Sequence, residues 1–290
     1  MGKLIAAFAL LLLVPSARAE DPVLLAAGDV AFCKSLDGAK ATAAILQAHP
    51  GATVAVLGDL AYGDGSSQEF SECYGPTWGQ FKDRTRPAPG NHDYHTPKAE
   101  AYFAYFGPGS APGKGYYSYD LGGWHVLSLN SNCTEVGGCG AGSPEEAFVK
   151  ADLAAHPGVC VLAYWHHPLF SSGVKPAHAL HPEMRPIWQD LYDAKAAVIL
   201  NGHEHNYERF APQNPEGAPD PRGIREFVVG TGGKDFDPLG PGLPNSEVRR
   251  FDTFGVLQLT LHPKGYDWEF LPAAGGTFTD KGSGGCPSRP

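Results

Sequence analysis

Two histidines, His203 and His205, stand two residues apart just after the apolar run at residues 196–200, with Gly202 between run and pair. Such a run reads as a short buried strand, and Gly202 lets the backbone turn so that both imidazoles emerge at the strand's end. Neutral imidazole is the commonest metal ligand, so the pair points to an ion. Residues two apart in an extended segment share a face by geometry alone, however, and the pair taken singly could equally be solvated. Other strand ends must carry the case.

Four of them do. Val23 to Ala27 runs into Gly28-Asp29, and Thr53 to Leu57 runs into Gly58-Asp59, with Tyr62 three residues on. A short extended piece at Arg86 runs into Gly90-Asn91-His92, and residues 159–165 run into His166-His167. Each has an ordinary alternative: Gly-Asp is a common turn, Asn91 could serve a turn, and His166 could be a satisfied core histidine. One sheet carrying all of them to one edge would instead gather about seven donors, enough for two cations that share an acid.

The intervening chain supplies what such a sheet needs. Residues 36–48 read as a helix stopped before Pro50. Thr96-Pro97 reads as the capped start of a helix to Phe106, and Ser143-Pro144-Glu145-Glu146 as a capping box opening a helix to Ala155. Residues 183–194 form a further helix, 124–129 a strand, 212–223 a proline-rich loop, 227–230 a short strand and 232–252 a long irregular loop. Residues 254–261 and 266–271 read as a closing hairpin. Strand, helix, strand with an acid after each strand is the rhythm of an α/β fold, whose ligands gather at the carboxyl ends of strands.

Residues 1–19 have a basic start at Lys3, an apolar core and small residues Ala17 and Ala19 before Glu20, the pattern of a secretory signal peptide. Residues 20–290 then form one expected domain, secreted or periplasmic, with no membrane span. Removing Lys3 and Arg18 takes the formal charge from -9 to -11, and no basic patch offers a nucleic-acid backbone a seat. An anionic substrate would need metal ions for local positive charge. Six cysteines fit an oxidising compartment. Cys133 and Cys139 bracket a short glycine-rich loop and are expected to join, with Cys33–Cys73 and Cys160–Cys286 as the expected remainder. A buried free thiol is the alternative for Cys160, inside an apolar run.

The ordered set Gly28-Asp29, Gly58-Asp59-x-x-Tyr62, Gly90-Asn91-His92, His166 and Gly202-His203-x-His205 resembles the calcineurin-like metallophosphoesterases, and Tyr62 puts the resemblance nearest their purple acid phosphatase branch. It spans Asp29 to about Arg209. The resemblance implies a two-sheet β-sandwich flanked by helices, with a dinuclear metal site at the carboxyl ends of the strands and no room for the extra amino-terminal domain of the plant-type enzymes. It gives Asp29, Tyr62 and His205 to a first ion, Asn91, His166 and His203 to a second, and Asp59 to both. A Tyr62 phenolate implies Fe(III) at the first site, with Zn, Mn or Fe(II) at the second, and hard oxygens facing imidazoles agree with that asymmetry.

The implied activity is hydrolysis of a small phosphorylated substrate, a phosphomonoester, by metal-bound hydroxide attacking phosphorus, with His92 serving the leaving oxygen. A further substrate histidine is expected of the family. The spacing departs from the family here, and His167, His178 and His181 all stand as candidates. Ala31 stands where many relatives have glycine or a liganding histidine, which makes the first ion depend more on Tyr62. Phosphodiesterase or nucleotidase activity is the alternative, since the loops 131–143, 170–186 and 232–252 would decide it, and a phosphate- or metal-binding protein without turnover is the other class.

Overall fold

The structure, a computed structural model, describes residues 20–174 and 180–287, so the expected leader and His178 lie outside the described residues. The apolar runs of the amino-terminal half pair in parallel, as strands buried on both faces do. These are β1 (Val23–Ala27), β3 (Thr53–Leu57) and β5 (Thr85–Ala88). The closing hairpin, β13 (Gly255–His262) and β14 (Gly265–Pro272), adds antiparallel to β1, and β15 (Lys281–Gly285) lies at the edge. Beside this sheet, β2 (Ala31–Phe32) pairs in parallel with β4 (Ala61–Tyr62), which sets Tyr62 opposite Phe32.

The second sheet has β7 (Trp124–Ser128), β8 (Cys160–Trp165), β9 (Val198–Asn201) and β11 (Arg225–Val229) in parallel. Antiparallel strands flank them: β6 (Tyr117–Leu121) on one side, β10 (Tyr207–Phe210) and then β12 (Ser246–Arg250) on the other. This is the expected two-sheet α/β arrangement.

Period-two alternation sorts the side chains of β8 between two cores. Cys160, Leu162 and Tyr164 face the first sheet, in a core shared with Leu24, Val56 and Leu257. Val161, Ala163 and Trp165 face the helices Pro144–Ala155 and Arg185–Asp193, through Val149, Leu153, Ile187, Trp188 and Leu191. Each of the Val, Leu and Ile side chains among them contributes roughly 1.5–3 kcal/mol when fully buried, so the register of the strand is strongly specified. The helix Asp37–Ala48 is anchored by Thr42, whose hydroxyl donates to Gly232 O at 2.6 Å and accepts from Trp78 Nε1 at 2.9 Å.

Three expectations need correction. Residues 232–252 are not loop throughout, because β12 docks its backbone on β10 although its side chains are largely exposed and carry no apolar alternation. Thr96 makes no cap bond; its hydroxyl donates to Asp93 O, Pro97–Ala99 forms a 3-10 turn, and the regular helix is Glu100–Phe106. The capping box at Ser143 is half formed: Ser143 Oγ accepts from Glu146 N, while the Glu146 carboxylate turns to Gly142 N. All three cysteine pairs form as expected, Cys33–Cys73, Cys133–Cys139 and Cys160–Cys286, so Cys160 is not a free thiol. Among the described residues no helix is long and apolar enough to cross a membrane.

Candidate metal centre

The parallel strands of both sheets point their carboxyl ends to one rim, where short backbone bonds lock the sheets together. Gly28 N donates to Val229 O at 2.9 Å, and Gly232 N, just beyond β11, donates back to Gly28 O at 2.9 Å. The turn after each strand must be tight. A Cβ on Gly58, at φ 85°, would lie 2.4 Å from His166 Nδ1, and one on Gly90 would lie 2.1 Å from Asp59 Oδ1. Both glycines are therefore required by the close packing of site residues against backbone.

Asp29, Asp59 and His203 have positive φ, at 61°, 51° and 69°. Left-handed backbone in a non-glycine residue costs on the order of 1–3 kcal/mol and clusters where a side chain must be aimed. Here all three side chains are buried and aimed at one another's neighbours.

The donors fall into two groups with one shared member. In the first, Tyr62 Oη donates to Asp29 Oδ1 at 2.6 Å and lies 3.3 Å from His205 Nε2, itself 3.4 Å from Asp29 Oδ1. In the second, His166 Nε2 lies 3.1 Å from Asn91 Oδ1 and 3.2 Å from His203 Nδ1. Between them stands Asp59, with Oδ2 2.8 Å from Tyr62 Oη and 3.3 Å from His166 Nε2. All seven sequence-predicted donors are thus brought together.

The electrostatics follow from burying acids beside imidazoles. Burial works against a charge on His166, yet Asp59 and Asp29 outweigh it and hold the imidazole up at about 9. Burial likewise opposes a charge on His205, and the hydrogen bonds and charges of Asp235 and Asp29 hold it up at about 10. Burial would raise the Asp59 carboxyl, but His166, His92 and His203 keep it well below the usual carboxylate range. For Tyr62 burial, then Asp29 and Asp59, push the phenol well above its ordinary value. Protons on the histidines balance the buried carboxylates. A cation held by the same atoms would displace those protons and pull the phenol down, so the donor set suits cations and their uptake would release protons.

His92 begins the turn after Asn91. Its backbone N donates to Asp59 Oδ1 at 2.8 Å, Nδ1 meets Gly63 O at 2.5 Å, and Nε2 lies 4.0 Å from Asp59 Oδ2, at the partly exposed mouth. His167 is buried, with Nδ1 2.8 Å from Ser131 Oγ and its ring stacked 3.8 Å from His181. Burial, then His166 and His203, hold its imidazole well below the ordinary value, so it is a neutral group. Both His167 and His181 line a cleft of about 410 Å³ that also reaches Asn91, His203, Asn132 and Glu135. No lysine or arginine lines it among the described residues.

Other contributors escape a reading of the sequence. Asp93 is fully buried and accepts from Asp59 N, Leu60 N and Gly90 N, tying together the turns after β3 and β5. Its signal was its place two residues after Asn91. Asp235 accepts from His205 Nδ1 at 2.5 Å, with Lys234 Nζ 2.7 Å from its other oxygen, and Asp237 lies 3.6 Å from the same nitrogen. No spacing in the sequence links either aspartate to His205. His95, its ring centroid 4.5 Å from that of His92, extends the mouth.

Comparison with known proteins agrees with this geometry. The calcineurin-like phosphoesterase family model matches residues 23–207. Among curated relatives, "Purple acid phosphatase 21" of Arabidopsis thaliana is 32% identical over 124 residues, 41% of this chain and 26% of that protein. "Purple acid phosphatase 15" of the same plant is 28% identical over 218 residues, 62% of this chain and 40% of that protein. The chain therefore spans well under half the length of these relatives. Among solved structures, purple acid phosphatase PPD1 from yellow lupin superposes with a TM-score of 0.71 at 20% identity, covering 92% of this chain and 54% of that one. GAP50, the anchor in the inner membrane complex of Plasmodium, superposes with a TM-score of 0.68 at 12% identity, covering 90% of this chain and 88% of that one. By the matched domain, the chain belongs to the calcineurin-like phosphoesterase family, and the relatives it resembles within that family are purple acid phosphatases.

Proposed function

We propose that this chain is an exported, metal-dependent hydrolase of small phosphomonoesters. The observation that carries the reading is the convergence of the donors on a strained rim, in two groups that share Asp59. On this reading Asp29, Tyr62 and His205 hold one ion, Fe(III) if Tyr62 binds as phenolate, and Asn91, His166 and His203 hold Zn, Mn or Fe(II). Bound ions supply Lewis acidity at phosphorus and the positive charge that the cleft's own side chains lack.

The chain's residues do the rest. Asp59, set between the two groups, fixes their separation. His92 keeps Nδ1–H on the Gly63 carbonyl, which leaves Nε2 as the nitrogen facing the mouth; as the imidazolium, with both nitrogens protonated, the ring is placed to give the Nε2 proton to the departing oxygen. His167, neutral and held by Ser131, together with His181 forms the polar wall against which a bound phosphate would rest. GAP50, which shares the fold, is described as an anchor, so this reading rests on the donors and His92 rather than on the fold alone.

The test is hydrolysis of p-nitrophenyl phosphate beside bis-p-nitrophenyl phosphate by the purified chain, with and without chelator. Monoester cleavage that disappears with the metal supports the reading. Preference for the diester replaces it with a phosphodiesterase, and inactivity on both with two ions verified per chain replaces it with a binding role. Tyr62→Phe adds a spectroscopic arm: loss of a visible charge-transfer band is expected if the phenolate binds iron.

A further inference from the structure

The cleft beside the metal donors has two kinds of lining. Asn91 and His203 belong to the donor set. The rest includes two carboxylates, Glu135 on the short turn Cys133–Glu135 and Glu183 on the turn Pro182–Met184, and the rings of Tyr94, His95 and His181. The rings are held in place from behind: the Tyr94 hydroxyl accepts from Asn130 Nδ2 at 2.8 Å, His95 Nδ1 lies 3.2 Å from Gly63 O, and His181 stacks on His167.

The glutamates are not tied in the same way. Neighbouring acids have structural tasks, since Glu145 accepts from Asn130 N and Glu146 pairs with Lys150. Glu135 and Glu183 are exposed, and among the described residues neither carboxylate makes an ion pair or a hydrogen bond. An ester whose phosphate lies at the donors extends its alcohol into this lining. A second anionic group on the alcohol is repelled there, whereas an ammonium group is attracted by both carboxylates and by the aromatic faces, and a neutral alcohol gains neither.

We propose that the substrates are phosphomonoesters of amino alcohols, with the ammonium group held by Glu135 and Glu183 against the rings of Tyr94 and His95. This extends the monoester reading above, on which it rests, by naming the leaving group. The oxygen of water joins phosphorus, the bond from phosphorus to the alcohol oxygen breaks, and the amino alcohol departs with the proton that His92 gives. The two glutamates set specificity and take no part in the bond changes.

The experiment uses the full chain loaded with metal and compares phosphocholine with 3,3-dimethylbutyl phosphate, its uncharged carbon isostere, and with phosphoglycolate, which carries a carboxylate instead. The kcat/KM for phosphocholine is expected to be about tenfold that for the isostere, with phosphoglycolate lower again. Paired replacement, Glu135→Gln with Glu183→Gln, at exposed positions, should bring the phosphocholine-to-isostere ratio down to about one. A merely structural role would slow both esters alike and leave the ratio standing. A ratio near one in the unmodified chain, or a preference that survives the paired replacement, overturns the assignment. Calorimetric binding of the same pair of esters to metal-loaded His92→Ala reads the preference without turnover. Hydrolysis of the isostere and of p-nitrophenyl phosphate with no charge preference refutes the amino-alcohol class and keeps the phosphomonoesterase. Preferential binding of phosphocholine by a chain that hydrolyses no ester refutes the phosphomonoesterase and keeps the cation-selective cleft.

Discussion

The parallel strands of the second sheet begin and end in contrasting surroundings. At their carboxyl ends, which meet those of the first sheet at the rim, charged and imidazole side chains are buried together and three non-glycine residues, Asp29 and Asp59 from the first sheet and His203 from the second, sit in left-handed backbone. At their amino ends, β8 starts at Cys160, bonded to Cys286, and neighbouring Trp124 is packed and donates to His262 O at 2.8 Å. The contrast teaches a division of labour: one end of the sheet gathers buried charge, and the other supplies packing and covalent closure that offset it.

The largest effect that would sharpen this contrast comes from the quiet end. Replacing Cys160 and Cys286 by serine opens a loop of 126 residues, for which chain entropy alone gives a loss of about 5 kcal/mol. Denaturant unfolding should register it, while turnover per folded molecule stays unchanged. A large fall in the specific activity of the folded fraction would break the division. At the rim, His92→Ala should behave in the opposite sense, with turnover falling about 10²–10⁴-fold while metal content and unfolding midpoint hold. A variant that loses metal along with activity would make His92 part of the ion site instead.

These two ends were not equally legible in the sequence. The rim was readable because its donors follow short apolar runs directly, so residue type and position after the strand carried the information. Asp93 and Asp235 were not, since the first acts on backbone N–H groups and the second reaches His205 across 30 residues. The fold's edges were the hard part. β12 shows no apolar alternation, and β15 is glycine-rich, so each is a strand only because its neighbour offers an unpaired edge. The half-formed cap at Ser143 has a similar cause: the Glu146 carboxylate finds Gly142 N and Lys150 before its own cap.

Glu145, which meets the segment just after β7, gives a pH test of the buried charge. Burial pushes its carboxyl up to about 8, against the pull of the Asn130 N–H. An acid raised on folding keeps its full stabilising share below its unfolded value near 4.5 and loses it as pH climbs through 8. Stability should therefore fall by roughly a few kcal/mol between those limits, and Glu145→Gln should flatten the slope in urea melts taken across that range. An unaltered slope would show that the buried acid is not the source. Smaller again, Asp235→Asn should weaken metal affinity about 10–100-fold, by releasing His205 from its orienting carboxylate, with little effect on the stability of the stripped chain. Competition against a chelator of known affinity reads this directly.

The most direct test of the account is turnover against bound metal in one sample. The chain would be stripped with chelator and reloaded stepwise while p-nitrophenyl phosphate hydrolysis and metal per chain are followed together. The account predicts no turnover in the stripped chain and full turnover only as the second ion binds at the rim. Hydrolysis at the full rate by a chain verified to hold no metal would contradict it.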